Sequence, residues 1–271
     1  MRLLLYLDPS PRREAAIALT GPLLRRPGVS VSLLATEEDL RASPGLLNEA
    51  ASSLPADPPP SRISHPGPAE RAIVEETRTR PYDLLVVPPA GRGGIHRLRK
   101  DSRIASLVRR VGGSVLVARG PAKPPARVLA AIGGDGMAEV IAGAAAFVSD
   151  AYGAEVILLH VRSDVDLPRA GRSILPSPDE GLPRAHAFLD SLGVASTLRR
   201  REGFLVEEIL AEAEAAQAGL VLLGSPEGSE EERRLRDETT ERVLLECPAS
   251  VLVVRSSFPA PAAGPGSPPR V

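Results

Sequence analysis

The chain repeats itself at constant offsets, and this limits its possible folds more than any other feature. Val115-Leu-Val-Ala-Arg119 returns 136 positions later as Val251-Leu-Val-Val-Arg255, and Asp83-Leu-Leu-Val-Val87 returns at the same spacing as Gly219-Leu-Val-Leu-Leu223. Gly67 and Ile73 match Gly203 and Ile209 at that offset, so 67–119 aligns with 203–255 without a gap. Upstream, Leu3-Leu-Leu-Tyr-Leu7 matches Val128-Leu-Ala-Ala-Ile132 and Val31-Ser-Leu-Leu34 matches Val156-Ile-Leu-Leu159, both 125 positions apart. The second copy therefore carries about eleven extra residues, which fall in the Pro/Gly/Ser-rich stretch 163–183. A chain of 271 residues holds two such copies, each large enough for its own core.

Each copy alternates short apolar runs with helical patterns. In the first, strands are expected at 2–7, 29–35, 83–87 and 114–118, with helices at 12–25, 68–79 and 102–110. In the second, strands are expected at 127–132, 155–161, 195–200, 219–223 and 250–254, with helices at 137–151, 184–192, 204–216 and 239–246. Continuous apolar strands separated by helices predict α/β domains, each with a parallel sheet covered on both faces and right-handed crossovers. The expected boundaries are a first domain at 1–120, a proline-stiffened linker at 121–126, a second domain at 127–257, and a disordered Pro/Ala/Gly/Ser-rich tail at 258–271. Residues 42–62, with Pro58-Pro-Pro60, read as a second mobile segment.

Bulk chemistry excludes several classes. A net charge of −1 gives no global pull toward nucleic acid or a membrane, and 3% aromatic content leaves few platforms for stacking bases. Cys247 is the only cysteine, so neither an intramolecular disulfide nor a cysteine zinc cage can form, which suits a reducing cytoplasm. The opening MRLLLYLDPS has too short an apolar run for a signal peptide, and no stretch of about eighteen apolar residues is present to span a bilayer.

A strand closed by Asp8, a strand followed by a Gly-rich loop, and a polar-capped helix leading to a Val-Leu-Val-Val-Arg strand now stand together. In the second copy this end reads Thr240-Glu-Arg-Val-Leu-Leu-Glu-Cys-Pro-Ala-Ser-Val-Leu-Val-Val-Arg255. The pattern resembles a universal stress protein domain, present twice over nearly the whole chain. The resemblance implies an adenine-nucleotide α-hydrolase-like fold, a five-stranded parallel sheet of order 3-2-1-4-5 with helices on both faces, and pairing of domains across their last strands. In a tandem chain that pairing can be intramolecular, with a homodimer or an unknown protein partner as further possibilities. ATP-binding members carry G-x2-G-x9-G-[ST] after the fourth strand, where glycines let the backbone approach phosphates and the next helix N-terminus offers partial positive charge.

Both copies depart from that motif. In the first, Pro88 takes the first glycine position, Gly91 keeps the second, Asp101 replaces the third, and Ser102 keeps the hydroxyl. Pro88 has no N–H to give, and Asp101 puts a carboxylate where phosphate oxygens would sit. Gly93 and Gly94 nevertheless keep the loop permissive, and Arg92, Arg97, Arg99, Lys100 and Arg103 give 91–103 a charge of +4, with His96 beside them. In the second copy Gly224 and Ser225 remain, but Glu227, Asp237 and Glu238 occupy the other positions, Gly228 is one residue out of register, and 227–239 carries −3. Candidate ligand contacts are therefore Asp8, Gly91, Arg92, Gly93, Gly94, Arg97 and Ser102 in the first copy, with Gly224 and Ser225 in the second, for ATP or AMP. The plainer readings are a solvated basic loop in which Asp101 or Ser102 caps a helix, and a turn role for Asp8 before Pro9.

Gly133, with Gly134 and Asp135 following, stands where the first copy has Asp8. His160 lies on an apolar strand and reads as a satisfied core histidine, and Cys247 before Pro248 reads as packing. The run Glu230-Glu-Glu232 does not converge on one point along a helix, so no metal site is expected. No catalytic residue stands out. The expected function is a non-enzymatic stress or signalling module with degenerate nucleotide loops, or alternatively an asymmetric ATP or AMP sensor working through the first copy.

Overall fold

A computed structural model describes residues 1–89, 104–133, 136–162, 180–225 and 230–259, with the backbone alone between 230 and 237. The chain divides into two units, Met1–Pro124 with Pro248–Leu252, and Pro125–Cys247 with Val253 onward.

The first unit runs β1 (Arg2–Tyr6), α1 (Arg13–Leu23), β2 (Ser30–Thr36), α2 (Glu37–Ala42), α3 (Leu46–Ser53), β3 (Ser61–His65), α4 (Ala69–Thr79), β4 (Leu84–Val87), α5 (104–110) and β5 (Ser114–Val117). Its strands lie in the order β3-β2-β1-β4-β5, all parallel. The second runs β6 (Arg127–Ala131), α6 (Ala138–Tyr152), β7 (Glu155–Arg162), α7 (Gly181–Ser191), β8 (Ser196–Glu202), α8 (Leu205–Ala215), β9 (Leu220–Gly224), α9 (Glu230–Glu246) and β10 (Ser250–Val254). Its order is β8-β7-β6-β9-β10, the same arrangement. Both copies thus adopt the parallel sheet that the alternating pattern predicts, in the 3-2-1-4-5 order that the resemblance implies.

The central strands explain why the apolar runs are unbroken. Leu3, Leu4 and Leu5 of β1 and Val128 and Leu129 of β6 are fully buried, because helices cover both faces of each sheet. At an edge that need disappears. β3 reads Ser-Arg-Ile-Ser-His with its residues exposed or half-buried, so it has no apolar run to announce it.

The expectation of a mobile segment at 42–62 is corrected. Thr36 caps α2 through a capping box with Asp39, and α3 buries Leu46, Leu47, Ala50 and Ala51. The spacing i, i+1, i+4, i+5 makes one apolar helix face, which outweighs the local Pro and Ser content. β3 then adds to β2, with Leu34 opposite Ile63. The tail reading is corrected at its first residue. Phe258 is buried and meets Phe147 of α6 edge-to-face, with ring centroids 5.9 Å apart. The eleven-residue excess of the second copy falls mostly in 163–179, outside the described residues. No helix among the described residues is long and apolar enough to cross a membrane.

Candidate functional site

In an open parallel sheet, ligands bind beyond the carboxyl ends of the strands where the strand order reverses. Those points lie between β1 and β4 in the first unit and between β6 and β9 in the second.

In the first unit, β1 delivers Tyr6 and then Asp8 to this edge. The Asp8 carboxylate turns back on its own chain, where Oδ1 accepts from the Ser10 amide at 3.0 Å and from the Ser10 hydroxyl at 2.5 Å. This is the turn role for which an Asp before Pro is suited. Tyr6 donates its phenol proton to Asp39 Oδ2 at 2.9 Å, and the same oxygen accepts from the Thr36 amide at 3.0 Å and the Thr36 hydroxyl at 2.6 Å. Burial first, then the Asp39 carboxylate, hold the Tyr6 phenol well above its ordinary range. The α1 side of the crevice contributes Arg12, whose Nη1 donates to the Pro89 carbonyl at 3.3 Å and so joins the β1 end to the β4 end. Gly91, Arg92, Gly93, Gly94, Arg97 and Ser102 lie outside the described residues, as do His96 and Asp101.

The second unit is packed differently at the matching place. A Cβ added to Gly224 would meet Ile141 Cδ1 at 2.8 Å and Met137 Cβ at 3.5 Å, so α6 fills the space beside this glycine. Ser225 is tied down from two sides. Its amide donates to the Val254 carbonyl at 2.8 Å, and its hydroxyl accepts from Arg255 Nη1 at 2.5 Å. At the end of β6, a Cβ on Gly181 would stand 2.5 Å from the Gly133 carbonyl, so the start of α7 lies directly against that turn. Glu139 of α6 holds α7 there through a bidentate pair with Arg184, the closest contact at 2.6 Å.

The helix after β9 also differs from the expectation of 239–246. It begins at Glu230 and continues to Glu246. Asp237 and Glu238, the positions matching the motif's last glycine and hydroxyl, therefore lie about two turns inside a helix rather than at its N-terminus. Their amides are committed to the helix ladder and cannot receive a phosphate. The sequence hid this start because Glu230-Glu-Glu-Arg-Arg-Leu-Arg-Asp237 has no apolar face to reveal a period. Glu227 and Gly228 lie outside the described residues.

One pair of buried acids escaped the sequence reading. Glu76 and Glu212, 136 positions apart, are both buried carboxylates on the helix preceding the fourth strand. Glu76 accepts from Tyr82 at 2.8 Å and Arg80 at 3.0 Å, while Glu212 accepts from Arg201 at 2.6 Å. The constant offset would have exposed this pair. His160 places Nδ1 2.9 Å from the Ile132 carbonyl, as a core histidine should. His186 lies 2.8 Å from the Ser196 hydroxyl and 3.5 Å from Asp190, but with side chains 36% and 58% exposed, His186 and Asp190 form an open surface contact rather than a catalytic enclosure. No cluster of metal-ligating side chains occurs among the described residues.

Residues 126–255 match the model of the universal stress protein family. The second copy is a universal stress protein domain. The first copy repeats its strand order and, at fixed offsets, its sequence, so the chain holds two domains of one fold. Solved structures share the fold over nearly the full length. A universal stress protein from Archaeoglobus fulgidus DSM 4304 has a TM-score of 0.68 at 17% identity, covering 94% of this chain and 98% of its own. A functionally unknown protein from Pseudomonas aeruginosa PAO1 has a TM-score of 0.67 at 19% identity, covering 94% and 92%. The cytoplasmic domain of a prokaryotic cation chloride cotransporter has a TM-score of 0.55 at 13% identity, covering 95% and 96%. At these identities the likeness is one of fold. No curated protein matches the chain. Both copies share this fold, and both depart in sequence from the phosphate motif that the resemblance implies.

Proposed function

We propose that the chain is a non-enzymatic stress or signalling module of the cytoplasm, in which the second copy has given up nucleotide binding and serves as the structural partner of the first. The observation that carries this reading is α9 running unbroken through Asp237 and Glu238, where the family motif needs a helix N-terminus. The packing of Ile141 into the space beside Gly224 supports it. The lack of a base, nucleophile or metal cluster in the sequence pattern gives no reason to assign a reaction. Pairing of the two copies, or of two chains, would then present the surface for a protein partner.

Isothermal titration of the full chain with ATP and Mg²⁺ tests the reading. The expected result is at most one site per chain and no phosphate release above background. Two micromolar sites, or turnover, overturn it.

A second reading is favoured by the opposed loop charges, +4 over 91–103 and −3 over 227–239. In it the first copy is the sensor for ATP, AMP or a related anion. Arg97→Glu with Arg99→Glu should then abolish binding, and unchanged affinity in that double variant would exclude the basic loop as the site.

A further inference from the structure

Among the described residues, the large apolar side chains left exposed are Leu198, Leu205 and, at 73%, Phe204. All three lie on β8 or at the turn that carries it into α8. β8 is an edge strand with β7 as its one sheet neighbour, so the backbone groups on its other side have no strand to bond. The fold does not require this apolar surface. Ser32 stands opposite Ser61 and its counterpart Ile157 opposite Thr197, so β3 matches β8 at the offset of 136. At that offset Leu198, Phe204 and Leu205 correspond to Arg62, Pro68 and Ala69. The first copy thus builds the same edge, and the same turn into a helix, without any of the three.

The edge is also cationic. Arg199, Arg200 and Arg201 follow one another on β8. Arg201 is committed to α8, through Glu212 at 2.6 Å and Glu208 at 3.0 Å. Arg199 reaches Glu212 at 3.5 Å but keeps about half of its side chain exposed. Arg200 is exposed and makes no ion pair among the described residues. Arginines alone would blunt an edge against chance pairing. Exposed Leu198 and Phe204 have the opposite effect, so the combination discriminates between partners rather than repelling all of them.

We propose that β8 is a docking edge for an extended, acidic segment of another protein, which adds to the sheet as a further strand. This rests on the reading of the chain as a module that works through a protein partner, and names the surface and the chemistry of what it takes. Backbone bonds to β8 hold the segment, and side chains select it. Successive strand residues point to opposite faces, so Leu198 and Arg200 share one face and Arg199 takes the other. The complementary segment places an apolar residue beside Leu198 and acids beside Arg199 and Arg200. Just past the end of β8, Phe204 offers its ring to a further apolar residue of the segment. A second copy of this chain does not fit. Two β8 strands laid antiparallel in full overlap put Arg199 opposite Arg199, and like charges directly opposite destabilise a pair. The other edge strand, β3, reads Ser61-Arg62-Ile63-Ser64-His65 and offers no acid either.

The probe is a fluorescein-labelled decapeptide of alternating glutamate and valine, mixed with the full chain and read by anisotropy. Two control peptides separate the contributions. Lysine in place of glutamate reverses the charge, and proline in place of two central valines removes backbone donors while keeping the acids. The chain has no tryptophan, so Phe204→Trp gives a single indole at the contact. Expected are saturable binding of the glutamate peptide, a blue shift of the Phe204→Trp emission on binding, and little binding of either control. Leu198→Ser with Phe204→Ser should lose about tenfold in affinity or more. Arg199→Gln with Arg200→Gln should lose about as much, with Glu212 still held by Arg201. Arg62→Gln, on the matching edge of the first copy, should keep the parent affinity. No binding of the glutamate peptide, or parent-like affinity in both β8 variants, overturns the proposal. Equal binding of the proline peptide reduces the effect to charge attraction and overturns strand addition. An indole shift on phosphatidylserine vesicles without one on the peptide assigns the patch to a membrane surface, and a parent dimer dispersed by the Leu198→Ser/Phe204→Ser variant assigns it to a second copy; either overturns the proposal. Melting of each variant, followed by circular dichroism, separates lost docking from lost folding. Failure of the peptide leaves the module reading standing, whereas ATP turnover overturns that reading whatever the peptide does.

Discussion

Gly224 is the one position of the second phosphate loop that still matches the family glycine, and its reason for being glycine can be tested by a change of sign. It does not have a positive φ, so alanine meets no backbone penalty there. In open space, glycine to alanine at such a site stabilises by about 0.4–1 kcal/mol, because the unfolded chain loses freedom. Here the new methyl would stand 2.8 Å from Ile141 Cδ1, and Ile141 is 1% exposed with little room to withdraw. Overpacking of a filled core costs about 1–3 kcal/mol. The two terms together predict that Gly224→Ala destabilises the second unit by about 1–2 kcal/mol. Ile141→Val deletes the offending Cδ1 and by itself costs about 0.5–1.5 kcal/mol. In that background Gly224→Ala should become neutral or stabilising, since the next contact on residue 141 is at 3.4 Å. The double-mutant cycle should therefore show a favourable coupling of at least about 1 kcal/mol, well above the scatter of independent sites. Calorimetry of the parent, both single variants and the double variant measures it, each kcal/mol moving the melting temperature by about 2–4 °C. A stabilising Gly224→Ala in the parent background, or strict additivity, would refute the packing explanation and restore the possibility that Gly224 is kept for a ligand.

Other outcomes follow from the same contacts. Glu212→Ala removes a buried carboxylate that accepts from Arg201 at 2.6 Å and should cost about 1.5–3 kcal/mol in urea unfolding, with Glu76→Ala behaving similarly in the first unit. Phe258→Ala should lower the stability of the second unit by about 3 kcal/mol, which a tail without tertiary contacts would not do. All three tyrosines are held above the ordinary phenol range, burial being the largest cause in each. Because the folded pKa values are raised, this contribution to stability is complete below about pH 10 and is lost as pH rises further, when the unfolded chain releases protons that the folded chain retains. Absorbance at 295 nm should accordingly show tyrosine ionisation together with alkaline unfolding rather than before it. Tyr6→Phe should flatten part of that dependence.

Much of the architecture was legible because periodicity reports burial. The β1, β4, β6 and β9 runs are buried on both faces, so their sequences are continuous and their repetition at fixed offsets is easy to see. Elements that face water on one side left weaker traces. β3 has one sheet neighbour and reads as polar, α3 hides its apolar face among serines, and the start of α9 is almost wholly charged in sequence. Their existence depends on what packs against them or on backbone bonding, which composition does not encode.

The sequence by itself determined the duplication, the α/β class and the departure of both loops from the phosphate motif, because those properties reside in residue identity and spacing, whereas the 3-2-1-4-5 order was implied only by the family resemblance. Only the tertiary structure decided why the departures differ in consequence. Asp39 is a residue any reader could mark as an available acid, yet the fold brings Tyr6, 33 positions away, to donate to it. Gly224 looks like a surviving ligand position until Ile141 is seen beside it, and Arg12 looks like an ordinary helix residue until β4 brings Pro89 within its reach. Availability of a polar group or of empty space is a property of surroundings assembled from distant parts of the chain, and it emerges only when the chain has folded.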